Sequence, residues 1–320
     1  WCQLRSFPTH NIYPITIVNE ENDDFLPSNF RFIDRPMLGK GVEPTDASFR
    51  AGCNCESDED CMYTTCYCLD EVVSDSDSDG DEAHKAPTTS QRRKRIAYYT
   101  DGENAGLLRD EYLDPANFDP IYECHEGCRC SKNCPNRVVE RGRTLPLQIF
   151  RTKDRGWGVR CPIDIKKGQF IDTYIGEIIT SDEANRRRKE TVSKKKDVYL
   201  FALDKFSNPE SPDPRLRGPP LEVDGEFVSG PTRFINHSCT PNLRIFARVG
   251  DHADKHIHDL AFFALEDIPA GTELTFDYVN GVVEKEDKKQ TKREKDVIGQ
   301  ENKGVIECRC GSENCRGWIF

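Results

Sequence analysis

The run Arg233-Phe234-Ile235-Asn236-His237-Ser238-Cys239 follows Pro231 and brings a cation, an aromatic ring, an amide, an imidazole and a thiol together in seven residues. So many polar groups would be costly in a plain core strand, so the run reads as a site rather than a wall. Taken alone, His237 suits a satisfied core histidine, and Cys239 beside it suggests a thiol nucleophile with its base. A second run, Glu273-Leu274-Thr275-Phe276-Asp277-Tyr278, alternates apolar and polar residues. It reads as a short strand that delivers one phenol to its end.

The cysteines decide between these readings. The chain has 15 of them, and its N-terminus lacks the basic-then-apolar layout of a signal peptide, so reduced, metal-ligating thiols are expected rather than a disulfide framework. Cys53, Cys55, Cys61, Cys66 and Cys68 form one block, and Cys124, Cys128, Cys130 and Cys134 another. Two tetrahedral zinc ions would leave one of nine thiolates over, whereas three ions need twelve ligand positions, which nine cysteines fill if three bridge. At the other end Cys308, Cys310 and Cys315 are one thiolate short of a tetrahedral site. Cys239 is the natural fourth ligand, which makes it a zinc ligand rather than a nucleophile and pins the tail beside the first run.

RFINHSC and ELTFDY, as they stand here, resemble the two signature motifs of the SET-domain protein lysine methyltransferases. With the nine-cysteine region before them and three cysteines after them, the chain resembles the suppressor-of-variegation class, which includes fungal enzymes that methylate lysine 9 of histone H3. The resemblance runs from about Cys53 to the end. It implies a mainly β fold with few helices, a knotted SET fold in which the two signature runs thread past each other, flanked by a three-zinc pre-SET cluster and a zinc-binding post-SET tail. It implies S-adenosylmethionine as cofactor, contacted by Arg155, Gly156, Trp157, Asp197, Tyr199, Arg233, Asn236 and His237, with Phe320 covering it where the family usually ends in Trp. The histone H3 tail is the implied partner, and chromatin in the nucleus the implied place.

Methyl transfer to an amine is an in-line displacement that needs two oriented reactants and a neutral amine. A free lysine ionises near ~10.4, so the neutral form costs roughly 4 kcal/mol near neutral pH before any chemistry. An aromatic channel that strips water from the amine lowers that cost, as does the sulfonium charge of the methyl donor. Tyr174, Phe201, Phe276 and Tyr278 are the rings expected around it, with Tyr278 the residue that orients the amine and Tyr174 its catalytic companion. Because position 276 carries Phe rather than Tyr, the amine has room to turn and accept successive methyls, and trimethyl-lysine is the expected product. Peptide recognition is expected by strand addition along Phe201, Ala202, Leu203 and Asp204, with the Asp204 carboxylate near a basic or hydroxyl group.

These groups need a frame. Strand-like runs are expected at residues 147–150, 157–161, 170–174, 177–179, 198–204, 243–248 and 260–265, with a hairpin over 221–227 turning at Asp224-Gly225. Thr180 and Glu183 have capping-box spacing, so a helix should begin there and run toward Lys194, with Arg186, Arg187 and Arg188 on its wet face. The organisation expected is an extended segment over 1–52, a pre-SET module over 53–134 with a partly disordered insertion at 69–123, a SET domain over 135–280, a charged linker over 281–303 and a zinc tail over 304–320. The acidic stretch 70–82 should be disordered and the basic run 92–95 a solvated charge run, with a nuclear address the other reading. His252, His256 and His258, set among Asp251, Asp254 and Lys255, read as a solvated loop.

The net charge of −11 argues against gripping a phosphate backbone and suits a basic partner. No apolar run approaches the ~18 residues of a membrane span, so a soluble intracellular protein is expected, and a start on Trp1 reads as a segment of a longer one. Two rivals stand beside the methyltransferase reading. One is an enzyme for another histone or non-histone lysine; the other is a catalytically silent, zinc-scaffolded chromatin-binding module, against which the intact Asn236, His237 and Tyr278 weigh.

Overall fold

A computed structural model of the chain describes residues 2–5, 7, 9–63, 66–69, 96–193, 199–279 and 307–319. The stretches 70–82, 92–95 and 284–303, together with Asp197 and Phe320, lie outside the described residues. What remains is mainly short strands, arranged in four sheets.

The sheet that carries the signature runs is ordered Ile15–Val18, Leu147–Arg151, Trp157–Arg160, Glu273–Phe276, Asn236–His237. Its inward positions are aliphatic, as period-2 alternation requires: Leu147, Ile149, Val159 and Leu274 are all buried. Trp157–Arg160 lies antiparallel to Leu147–Arg151. Gly156 takes a φ of +73° in the turn between them, a conformation that an L side chain resists. Far apart in sequence, the two signature runs are parallel neighbours, with Asn236 opposite Thr275 and His237 opposite Phe276.

A second sheet is ordered Met37–Leu38, Glu177–Ile179, Glu222–Asp224, Leu200–Ala202, which leaves the last strand at its edge. A third larger sheet joins Ile121–Tyr122, Leu243–Val249, Asp259–Ala264 and Phe170–Tyr174 in that order. The N-terminal segment joins two of the sheets, since Ile15–Val18 runs parallel to Leu147–Arg151 and Met37–Leu38 parallel to Glu177–Ile179. The second half of the expected insertion is built into the fold, where Ile96, Tyr98 and Leu108 pack with Phe170, Phe246 and Phe263 of the third larger sheet.

Buried Glu123 ties that module to the catalytic sheets. Its carboxylate accepts from Tyr98 Oη at 2.5 Å, from the N–H groups of Val138, Val139 and Glu140, and from Arg248 Nε at 3.0 Å. Removing Glu123 would take the acceptor from Tyr98 Oη and three backbone N–H groups at once, while Arg248 would keep Glu140 and Asp259.

Three expectations are corrected. Residues 221–227 form no hairpin: Glu222–Asp224 pairs instead with Glu177–Ile179 and Leu200–Ala202, and the next strand, Val228–Ser229, pairs with Arg31–Phe32. The Asp224 carboxylate accepts from Glu226 N–H at 2.8 Å, so the Asp-Gly step bends the chain into another sheet. The helix is Ser181–Ser193 and Thr180 does cap it, accepting from Glu183 N–H at 3.4 Å. However, Arg187 and Arg188 are not simply wet, because they reach back to the buried carboxylates of Asp224 and Glu222 and dock the helix on the sheet. The histidines form no solvated loop either. His256 and His258 are buried, and His252 stacks on Tyr122 with ring centroids 5.0 Å apart.

Candidate active site and zinc centres

The parallel pairing of the signature runs delivers Tyr278 beside the segment it must work with. Its hydroxyl donates to the Ile235 carbonyl at 2.7 Å and its N–H to His237 Nδ1 at 3.2 Å. That second bond fixes the imidazole: with Nδ1 accepting, the ring proton sits on Nε2, 3.3 Å from Cys239 Sγ. Burial pulls the His237 pKa down, and the Asp277 carboxylate 3.6 Å away only partly offsets this, so the ring is neutral. His237 is thus held by protein on both nitrogens, and with its proton on Nε2 it is not set to take one from Cys239, which instead groups with three other thiols.

The four expected channel rings meet. Phe201 lies 4.6 Å from Tyr174, 5.6 Å from Phe276 and 6.3 Å from Tyr278 between ring centroids. Phe276 closes on Tyr278 at 4.7 Å and is backed by Phe262 at 4.9 Å. These edge-on and tilted contacts form an apolar wall with π faces, which suits a desolvated amine and a methylated ammonium alike. The Tyr174 hydroxyl donates to the Tyr199 carbonyl at 2.9 Å, and burial pushes its phenol well above the ordinary range.

A polar cluster adjoins this wall. Glu273 accepts from Asn236 Nδ2 at 2.8 Å on one oxygen and pairs with Arg155 on the other. Asn236 Nδ2 also donates to the Trp157 carbonyl at 3.2 Å. Both Nδ2 bonds are thereby spent, and no described group donates to Asn236 Oδ1, which stands as an acceptor for an ammonium. Gly158 permits this approach, because a Cβ there would meet Glu273 Oε1 at 2.9 Å. The Arg233 guanidinium lies 4.0 Å over the Tyr199 ring and 4.9 Å over Phe30. The Asn236 Oδ1 acceptor suits the amino group of S-adenosylmethionine. Of the expected cofactor residues, Arg155, Gly156, Trp157, Tyr199, Arg233, Asn236 and His237 are described.

Along the other expected subsite, Phe201 and Ala202 lie in the edge strand of the second sheet, Leu203 is buried and Asp204 is exposed. An edge strand offers unpaired backbone groups to an incoming chain.

The cysteines test zinc directly. A tetrahedron with Zn–S bonds of about 2.3 Å sets its sulfurs about 3.8 Å apart. Cys53 Sγ lies 3.9 Å from Cys61 Sγ and 3.9 Å from Cys124 Sγ, and Cys66 Sγ lies 4.0 Å from Cys124 Sγ. All nine cysteines of the two blocks fall in overlapping groups of four with ligand atoms within 4.8 Å of one another, Cys53 and Cys124 recurring as bridging thiolates would. Their sulfurs accept from Cys53 N–H, His125 N–H and Arg137 Nη2 at 3.3–3.4 Å, the second layer of bonds expected around thiolates. Cys239, Cys308, Cys310 and Cys315 form a separate group, with Cys239 and Cys308 sulfurs 3.8 Å apart. Zinc fits both places.

The tail does more than ligate. Arg316 donates from both terminal nitrogens to the Asp277 carboxylate at 2.7 Å, and its N–H to Cys239 Sγ at 3.4 Å. Burial pushes the Asp277 carboxyl up, but its bonds from Arg316 and Val279 pull harder and leave it below the usual range. Arg316 has no signal in the sequence, and Glu273 has one only as the first residue of its run. One follows a zinc ligand and the other opens a strand, and only the folded register gives them partners.

Comparison with known proteins agrees with this geometry. A SET domain family model matches residues 156–279 and a Pre-SET motif model residues 8–137. The H3 lysine-9 specific histone-lysine N-methyltransferase dim-5 of Neurospora crassa is 63% identical over 321 residues, spanning 100% of this chain and 92% of that protein. The chain belongs to the SET-domain histone-lysine methyltransferases, in the Su(var)3-9 class. KMT1 of Fusarium mangiferae, also named H3 lysine-9 specific, is 57% identical over 331 residues, covering 100% of this chain and 92% of that one. The solved structure of the Neurospora enzyme DIM-5 superposes with a TM-score of 0.74 at 66% identity, covering 85% of this chain and 97% of the other. Arabidopsis SUVH6, solved in complex with SAM, is more distant at 28% identity and a TM-score of 0.64, covering 96% of this chain and 53% of that one. A methyl-lysine-forming fold therefore stands behind the two signature runs, and the silent-scaffold alternative loses its ground.

Proposed function

We propose that this protein transfers methyl groups from S-adenosylmethionine to lysine 9 of the histone H3 tail, up to the trimethyl state, on chromatin in the nucleus. The observation that carries the reading is the convergence of Tyr174, Phe201, Phe276 and Tyr278 beside the paired signature runs. Bound S-adenosylmethionine supplies the methyl group on a sulfonium. The chain's residues do the rest. The rings take water from the lysine amine and favour its neutral form, the Tyr278 hydroxyl orients the lone pair, and the wall prevents hydration of the reacting centre.

Arg155, Gly156, Trp157, Tyr199, Arg233, Asn236 and His237 are the residues assigned to the cofactor, with Asp197 and Phe320 added on sequence grounds. The nine-cysteine block is assigned three zinc ions and the Cys239, Cys308, Cys310, Cys315 site one. The H3 tail is assigned to the outer edge of Leu200–Ala202 with Asp204 at its end, where the exposed carboxylate suits a basic peptide. The two fungal relatives are named as H3 lysine-9 specific, which supports the substrate assignment.

The test is methyl transfer from labelled cofactor to an H3 tail peptide and to a copy with arginine in place of lysine 9. Labelling of the first and not of the second is expected. Equal labelling would assign the enzyme to another lysine, and labelling of neither would overturn the reading.

A further inference from the structure

A ring of hydrogen bonds runs from the candidate catalytic tyrosine through the C-terminal zinc site and back. Tyr278 N–H donates to His237 Nδ1 at 3.2 Å, and His237 Nε2 lies 3.3 Å from Cys239 Sγ. Arg316 N–H donates to the same sulfur at 3.4 Å. The guanidinium of Arg316 then returns to Asp277, the residue before Tyr278, through two bonds of 2.7 Å. Asp277 also accepts from Val279 N–H at 3.0 Å, so one carboxylate holds both the tail and the turn that carries Tyr278.

The geometry matters as much as the charge. Two parallel bonds from a planar fork fix direction as well as distance, which a single ammonium contact would not. The two side chains are 21% and 14% exposed, so water competes weakly for them. Zinc alone would tether the tail to Cys239, on the other signature run, and would reach the turn at residues 277–279 only indirectly, through His237. The fork supplies the second point of attachment, on the run that ends in the phenol.

We propose that Arg316 is a positioning residue for methyl transfer: through Asp277 it transmits the docked state of the zinc-bound tail to Tyr278. This rests on the reading of Tyr278 as the group that orients the amine. A tail that is present but not latched then leaves the phenol out of line.

The test is a double-mutant cycle of Arg316→Gln and Asp277→Asn on the full chain with saturating cofactor and H3 peptide, with zinc content measured by mass spectrometry. Each single variant should lower kcat by about 10- to 100-fold, the cost of a misplaced reacting group, while peptide KM changes less than about twofold. Zinc content should match wild type. The double variant should be no worse than either single, because both remove the same link. Arg316→Lys, which keeps the charge but not the fork, should recover part of kcat and serves as the readout if Arg316→Gln does not fold. An unchanged kcat in Arg316→Gln, additive losses in the cycle, or a loss of kcat that tracks loss of zinc would each overturn the proposal. Failure of the underlying reading looks different, since Tyr278→Phe would then retain wild-type turnover whatever the cycle gives.

Discussion

If the product is trimethyl-lysine as proposed, Phe276→Tyr should shift it to mainly mono- and dimethyl-lysine. Phe276 is buried, with Phe201 at 5.6 Å, Phe262 at 4.9 Å and Tyr278 at 4.7 Å between ring centroids, so a hydroxyl added to its ring enters the wall around the amine. Left unpaired in such surroundings, a hydroxyl costs about 1–3 kcal/mol. It therefore captures the lysine amine or a water beside it. The first methyl is transferred in that arrangement, but each later one needs the amine to turn, which breaks the new bond and crowds the methyl already present. At about 1.4 kcal/mol per factor of ten, the second and third transfers slow by about 10- to 100-fold relative to the first. A mass-spectrometric time course on an H3 peptide resolves the three products. Trimethyl peptide accumulating in the variant at the wild-type rate would refute the argument, as would a wild-type enzyme that stops at one methyl.

Replacing one tail thiolate, Cys308→Ser, should remove about one zinc ion per chain and abolish turnover while the nine-cysteine cluster keeps its metal, because folding and binding of each site are linked separately; metal analysis and a transfer assay on the same sample check this, and full activity without that ion would contradict it. Asp204→Lys reverses an exposed charge at the end of the edge strand, and should raise peptide KM by about five- to tenfold with kcat unchanged, a surface-charge effect of about 1 kcal/mol; an unaltered KM would remove Asp204 from the peptide site. Burial holds the His258 imidazole down at about 4 against an ordinary 6.5. The folded protein thus binds this proton less readily than the unfolded chain, so the contribution is intact above pH 6.5 and drains away as pH falls to about 4, a loss of about 3 kcal/mol. Melting temperatures of wild type and His258→Gln, compared at matched pH, should converge on acidification, and parallel profiles would refute this.

Much of the site could be read from residue types because its chemistry is local. Seven consecutive residues held the amide, imidazole and zinc thiolate of one run, and cysteine spacing closes on zinc arithmetic without any knowledge of topology. Strand positions were legible where one face alternates, as at Leu147–Arg151 and Glu273–Phe276. The misreadings share a cause. Asp224-Gly225 has the chemistry of a hairpin turn, but a buried carboxylate bonded to Glu226 N–H and to Arg187 turns the chain elsewhere. Arg187 and Arg188 look like a wet helix face until the sheet places Asp224 and Glu222 beneath them. His256 and His258 sit among charges in sequence, yet the fold buries them. In each case the partner lies tens of residues away or in another sheet, which a local pattern does not encode. The pairing of Glu273 with Arg155 and Asn236, and that of Arg316 with Asp277, are hidden for the same reason.

The proposed transfer depends most on the Tyr278 hydroxyl, which donates to the Ile235 carbonyl at 2.7 Å, with its ring 4.7 Å from that of Phe276. Tyr278→Phe removes that oxygen and keeps the ring, so the most direct measurement is kcat of this variant at saturating cofactor and H3 peptide, alongside zinc content. A fall of at least about 100-fold in a folded, zinc-replete protein is predicted for a group that orients the amine or assists its proton. Turnover at the wild-type rate would contradict the account.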